Sequence, residues 1–537
     1  MGDLDDKKVI KIGVDGLPND DVVHYPADPQ HLRGFEEVAE VQRSNFKMPT
    51  LYDVHDPHSY MLVGLLDGTG NDVAQDPLHA TNVAKFRKQI ERLNESGNHR
   101  ILAEYIEGPG TQVGDAVTKK IDEALGHTGL ERAEEMYQKL IERAQEIYRT
   151  DPHAKISIHL EGFSRGAVEV PLVARMIDER GIPNNRAGVV GVGETGLPAY
   201  EKYHQLPGHT PMSVGLYDPV PTGVMELYDL RLPPSVVSGF QINAEHERRG
   251  TFKVVNIIGQ GISEDGRFHG VTVAGAHSDI GGSYLRSGLG DRSFNLMTNF
   301  HNGLMSEPLL QRVHETDDPR MNVIHRSEQN HIFRIAPKAD RTLPSGQVQE
   351  LAPDYSRAAT PGQIVHLPAH KAEPLSQAVS QYVREARIMG SHVPAPALEV
   401  PTGEAMLARV SQDHRYVVQP YDPPNLHAPA VRALGALGVA ATVYEGVQTY
   451  ERYQLLQEQG NPLAAQSAGV LLGSAAGPGG TFAGGAVGGA LGERAGEKFN
   501  ALLDNAKIYN QVDRDGVAWE FNGRTWGRDR PADLTLD

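Results

Sequence analysis

Five residues constrain this chain more than any others: Gly162-Phe163-Ser164-Arg165-Gly166. They follow an alternating, β-branched run at 155–160 (KISIHL) and open a helical stretch at 165–180. A strand, a sharp turn and a helix make the setting that a G-x-S-x-G nucleophile elbow needs. The turn strains the serine backbone, and glycines two residues to either side relieve the crowding. The hydroxyl then sits at a helix N-terminus, where the macrodipole favours a developing anion. The N–H of Arg165 is expected to point to the same place as one oxyanion donor.

Further strands are expected at 60–66 (YMLVGLL, ending in DGTGN), 101–106, 212–217 (MSVGLY), 252–258 (FKVVNII) and 271–274. Helical spacing occupies 81–96 and 115–149. Strands alternating with helices predict an α/β fold with a mainly parallel sheet flanked by helices, of α/β-hydrolase-like type. The catalytic core is expected at 59–309, after an irregular N-terminal lead-in at 1–58 rich in Asp, His and Pro. Residues 310–427, with one clear helix near 375–388, read as an accessory or lid region. The segment 506–537 holds both tryptophans and a β-hairpin at 517–526 with an Asn-Gly turn.

Residues 428–505 differ in kind, being small-residue-rich and helically spaced. Within them 459–492 carry no charge over 34 residues, and Pro478-Gly479-Gly480 splits them into two arms of 14 residues each, Ala464–Gly477 and Gly479–Gly492. Each arm would be about 21 Å long as a helix, short of a ~30 Å hydrocarbon core. Small residues at this spacing permit close helix approach, so the expectation divides between a hairpin packed within the protein and one that contacts a membrane.

A serine hydroxyl needs a base, and the base needs an orienting acid. In α/β-hydrolases the chain order is serine, acid, histidine. Asp218 directly follows the run 212–217, 54 residues after Ser164, and His277 lies 59 residues further on, in GAHSDIGG. Other readings of these two are a turn-capping aspartate and one of 23 ordinary histidines. The second oxyanion donor is expected from Gly68 or Thr69 in DGTGN, and a plain β-turn accounts for the same residues. Asp67 would support this loop by accepting backbone N–H bonds or by pairing with Arg165, and Asp279 is a second supporting residue.

The net charge of −18 argues against nucleic acid as a partner and against electrostatic adhesion to anionic lipid. The chain has no cysteine, which excludes disulfides, thiolate zinc sites and cysteine nucleophiles. Asp53, His55, Asp56 and His58 form a D-x-H-D-x-H run that matches no recognised ligand spacing, so no metal is expected there. The first residues, MGDLDDKKVIKIG, lack a signal-peptide core, so synthesis in the cytoplasm without a cleaved signal is expected.

The blocks LLDGTGND, EYIEGPGTQVGD, IHLEGFSRGA, VGLYDPV, NAEHERRGTF and VAGAHSDIGGSY occur in that order over roughly residues 60–300. Together they resemble the bacterial α/β-hydrolase-like family that contains type VI secretion phospholipase effectors, the first type VI lipase effector family. Two departures are Pro219, where the family commonly has Thr, and the residue before Asp67, where an aromatic is frequent. Carried over by position, the resemblance implies a triad of Ser164, Asp218 and His277. It implies hydrolysis of phospholipid carboxylic esters through an acyl-enzyme, with no cofactor, by a toxin delivered into target cells and acting at membrane. A cognate immunity protein and a secretion-spike protein are the implied partners. Glu247-Arg248-Arg249 matches a charged block and reads as a buried ion-pair brace. The competing functions are an intracellular esterase acting on a smaller ester and a non-catalytic adaptor that retains the hydrolase scaffold.

Overall fold

The computed structural model describes residues 8–20, 22–68, 76–108, 129–186, 189–192, 198–221, 230–250, 252–329, 338, 340–341, 375–388, 390, 395–398, 403–413, 415–420, 510–512, 518–521 and 526–528. The Gly/Ala-rich segment 428–505, Thr69 and the 115–128 part of an expected helix lie outside them.

Seven strands form the central sheet: β1 (Ser59–Leu66), β2 (Ile101–Ile106), β3 (Lys155–Phe163), β4 (Met212–Tyr217), β5 (Val236–Ala244), β6 (Gly261–Ile262) and β7 (Phe268–Val273). Their spatial order is β6-β7-β5-β4-β3-β1-β2. All neighbours run parallel except the edge pair β6–β7. This is the α/β architecture expected. Strands buried on both faces read as nearly continuous apolar runs, which β1 and β4 are.

Helices α3 (Gly129–Thr150) and α4 (Arg165–Arg180) cover one face. Met136, Leu140, Ile141, Ala144 and Ile147 of α3, spaced at three and four residues, pack there with Ile158 and Leu160 of β3. The other face is covered by α1 (Pro29–Ser44), α2 (Asn82–Glu95) and α6 (Gly288–Gly303), with α5 (His277–Gly281) at the sheet's C-terminal end. Thr81 caps α2 by accepting the Ala84 N–H, and Phe86 and Ile90 enter the core.

Two expectations need correction. Residues 252–258 form no strand, although Val254, Val255, Ile257 and Ile258 are buried; the strand in this region is β5. Polar residues within β5 hide it from an apolar reading, and each of them is satisfied internally. Gln241 donates to Val255 O and accepts from Ile258 N, Ser238 donates to Arg267 O, and Asn243 donates to Asn256. The Gln241 amide thereby bonds backbone groups that a neighbouring strand would otherwise take. Residues 1–58 are also not irregular throughout. They contain α1, capped by Asp28 and with Pro29 in its first turn, which buries Phe35 and Gln42 and packs Leu32, Val38 and Ala39 against the core. The strand Lys8–Ile12 pairs in parallel with Tyr416–Pro420, so the chain returns to its own beginning.

Candidate active site

Ser164 directly follows β3 and occupies the N-cap position of α4 with φ 60° and ψ −122°, a left-handed conformation costly for any residue but glycine. The conformation is held by close backbone packing. A Cβ on Gly166 would lie 2.1 Å from Leu66 O, and one on Gly162 would lie 2.4 Å from Gly166 C and O. The Ser164 N–H is anchored to Tyr217 O at 2.9 Å, which ties the elbow to the end of β4. Arg165 is the first residue of α4, where N–H groups face out of the helix N-terminus.

Asp218, with φ 41°, follows β4 directly, and His277 opens α5. The structure brings all three residues together. Ser164 Oγ is 2.7 Å from His277 Nε2, and His277 Nδ1 is 2.5 Å from Asp218 Oδ2. The second Asp218 oxygen accepts the Ala244 N–H at 2.9 Å and Arg341 Nη1 at 2.6 Å. Burial alone would raise the Asp218 carboxyl; Arg341 and His277 outweigh it and hold the group well below the usual carboxylate range. Burial pushes His277 below the ordinary imidazole value against the pull of Asp218. A neutral ring with a carboxylate at Nδ1 leaves its Nε2 lone pair toward the serine hydroxyl.

A surrounding layer fixes the histidine. Asp279 Oδ2 accepts the Ala276 N–H at 2.9 Å and the His325 N–H at 3.0 Å, while Oδ1 lies 2.6 Å from His325 Nδ1. Glu247 Oε2 accepts the His277 N–H at 3.3 Å and pairs with Arg249 at 2.8 Å. Burial would raise Glu247, but Arg249 overrides it and sets the carboxyl at about 2. The rings of Phe163 and Phe252 flank the imidazole at 4.6 and 5.1 Å.

Asp67 accepts Gly68 N at 2.7 Å, Thr81 Oγ1 at 2.8 Å and Tyr105 Oη at 2.6 Å. Burial raises it to about 6, with the Tyr105 and Thr81 hydrogen bonds opposing. The Gly68 N–H, a candidate oxyanion donor, lies against the adjacent Asp67 carboxylate in this structure. The residues Asp53, His55, Asp56 and His58 do not converge: His55 reaches Glu307, His58 reaches Asp151 and Asp56 reaches Lys155.

Sequence reasoning missed Arg341. It lies 123 residues beyond Asp218, is buried, and also donates to Ala244 O at 2.9 Å and Phe252 O at 2.7 Å. No spacing rule reaches an arginine whose only signal is tertiary.

Residues 61–207 match the family model described as T6SS, Phospholipase effector Tle1-like, catalytic domain. Over these residues the chain is similar to the catalytic domain of type VI phospholipase effectors. The match bears out the resemblance read from the ordered blocks; it includes Ser164 and ends before Asp218 and His277. A solved structure described as an uncharacterized protein from Pseudomonas aeruginosa is similar at 15% identity and a TM-score of 0.31, over 79% of this chain and 70% of that one. No curated protein matches the chain. Among the described residues no helix is long and apolar enough to cross a membrane.

Proposed function

We propose that this Tle1-like chain hydrolyses phospholipid acyl esters by serine-dependent acyl transfer, as a phospholipase A. The observation that carries the reading is the continuous relay from Ser164 Oγ through His277 to Asp218, with contacts of 2.7 and 2.5 Å, within a phospholipase effector domain. Ser164 Oγ attacks the acyl carbonyl while His277 Nε2 takes its proton. The Oγ–C bond forms and the ester C–O bond breaks. The departing lysophospholipid oxygen receives the proton from Nε2. Water then attacks the acyl-serine, with Nε2 as base, releasing the fatty acid and restoring the hydroxyl. Asp218 stays ionised and stabilises the imidazolium. Arg165 N–H serves the oxyanion.

Ser164 is only 5% exposed. Delivery into a target cell and neutralisation by a cognate immunity protein follow from the family as part of this proposal. Labelling of the intact protein with a fluorophosphonate tests it. One adduct is expected, on the Ser164 peptide, and it should be lost in His277→Ala. Labelling elsewhere, or none in a protein that cleaves phospholipid, would refute the serine assignment.

A further inference from the structure

A second polar cluster lies in the core beneath α6, and the acyl-transfer reading makes no use of it. His159 and Glu161 stand two residues apart on β3 and so share a face, and His301 comes from α6. All three are at most 3% exposed. His301 Nε2 is 2.6 Å from Glu161 Oε2, and His159 Nε2 is 3.5 Å from the same oxygen. One potential ligand atom from each residue lies within 4.8 Å of the others.

The cluster is incompletely satisfied. Among the described residues, His159 Nε2, Glu161 Oε1, His301 Nδ1 and the hydroxyl of Tyr217 have no hydrogen-bond partner. Each such buried atom is destabilising when left without a partner, so several in one place call for a binding partner. Ser213 Oγ holds His159 Nδ1 at 2.9 Å, turning Nε2 toward the carboxylate, as outer hydrogen bonds do for ligating histidines. Gly215 of β4 is opposite Glu161, and a Cβ there would lie 3.0 Å from Glu161 Oε2 and 2.9 Å from Met297 Sδ. Glycine keeps the side of the carboxylate clear.

We propose that His159, Glu161 and His301 bind one divalent cation of the zinc class. Two imidazoles and a carboxylate suit such an ion. Bonds of about 2.0–2.2 Å put donors roughly 3–3.5 Å apart, so small side-chain rotations convert the observed contacts into a coordination sphere. Burial excludes substrate, and the role is structural: the ion joins α6 to β3, the strand that ends at the elbow. Glu161 precedes Ser164 by three residues on the chain.

The test is metal content by plasma mass spectrometry on the full-length, untagged protein equilibrated with Zn(II) and desalted. About one equivalent is expected in wild type and in Ser164→Ala, falling at least tenfold in Glu161→Gln and His301→Gln. The double variant His55→Gln/His58→Gln should keep its metal. Cobalt(II) loading should give visible d–d absorption in wild type, and Zn(II) should raise the melting temperature of the metal-free protein. The melting comparison needs no variant, so it decides the matter even if the substitutions prevent folding. Wild type retaining less than about a tenth of an equivalent, or melting at one temperature with and without Zn(II), would overturn the site. So would equal metal content in wild type and His301→Gln.

Discussion

Replacing Arg341 with methionine removes the charge beside Asp218 while filling much of its volume. The guanidinium now contacts Asp218 Oδ1 at 2.6 Å, Ala244 O at 2.9 Å and Phe252 O at 2.7 Å. After the change Asp218 keeps the Ala244 N–H and His277 but loses its counter-charge, and two carbonyls lose a donor. Breaking a buried ion pair costs about 3–5 kcal/mol. The two surviving Asp218 contacts put the expected loss near the lower end, about 3 kcal/mol. For a large domain that is roughly 2–4 °C in melting temperature per kcal/mol. Asp218 then holds the His277 ring less firmly, and a misplaced base lowers kcat by about tenfold to a hundredfold with KM little changed. The sign with pH follows from the lowered Asp218 value. Its ionised form contributes stability above the ordinary carboxylate pKa, and that stability is lost as pH falls through the lowered one. In Arg341→Met this loss begins at a higher pH. Arg341→Lys restores charge but not the fork, so partial recovery of kcat is expected. The assays are thermal unfolding at two pH values and fatty-acid release from phospholipid. A variant that melts and turns over like wild type, or that changes only KM, would refute the positioning role.

Other consequences are equally direct. Gly166→Ala puts a methyl 2.1 Å from Leu66 O, so the elbow must shift; loss of soluble protein, or folded protein without activity by circular dichroism and lipid assay, is expected. The lowered His277 pKa places the acid limb of kcat/KM below the ordinary imidazole value of about 6.5, since the neutral ring is the base; a limb above it would contradict that environment. Stability linked to His277 is full above the unfolded-state value and falls as pH drops through the folded one. Asp279→Asn weakens the contact with His325 and the cap on α5, and should lower stability by about 1–3 kcal/mol in urea unfolding.

Local pattern sufficed where a residue's role is set by its neighbours in sequence. β2, β4 and α4 lie on the residues expected because apolar runs and turn glycines mark their ends. Ser164, Asp218 and His277 could be chosen together because each follows a strand that ends at the same, C-terminal end of the parallel sheet. The pattern failed where partners are distant. β5 hides behind Ser238, Gln241 and Asn243, whose polarity is satisfied by loops that only the fold brings near. Arg341 and the Asp279–His325 contact link segments 123 and 46 residues apart, and nothing local encodes them.

The most direct measurement is mass spectrometry of lipid products from mixed phospholipid vesicles, with wild type beside Ser164→Ala. The account predicts free fatty acid and lysophospholipid in matched amounts from wild type, and a loss of both in the variant to the level of vesicles alone. Undiminished product from folded Ser164→Ala, or products cut at the phosphodiester instead of the acyl ester, would contradict it.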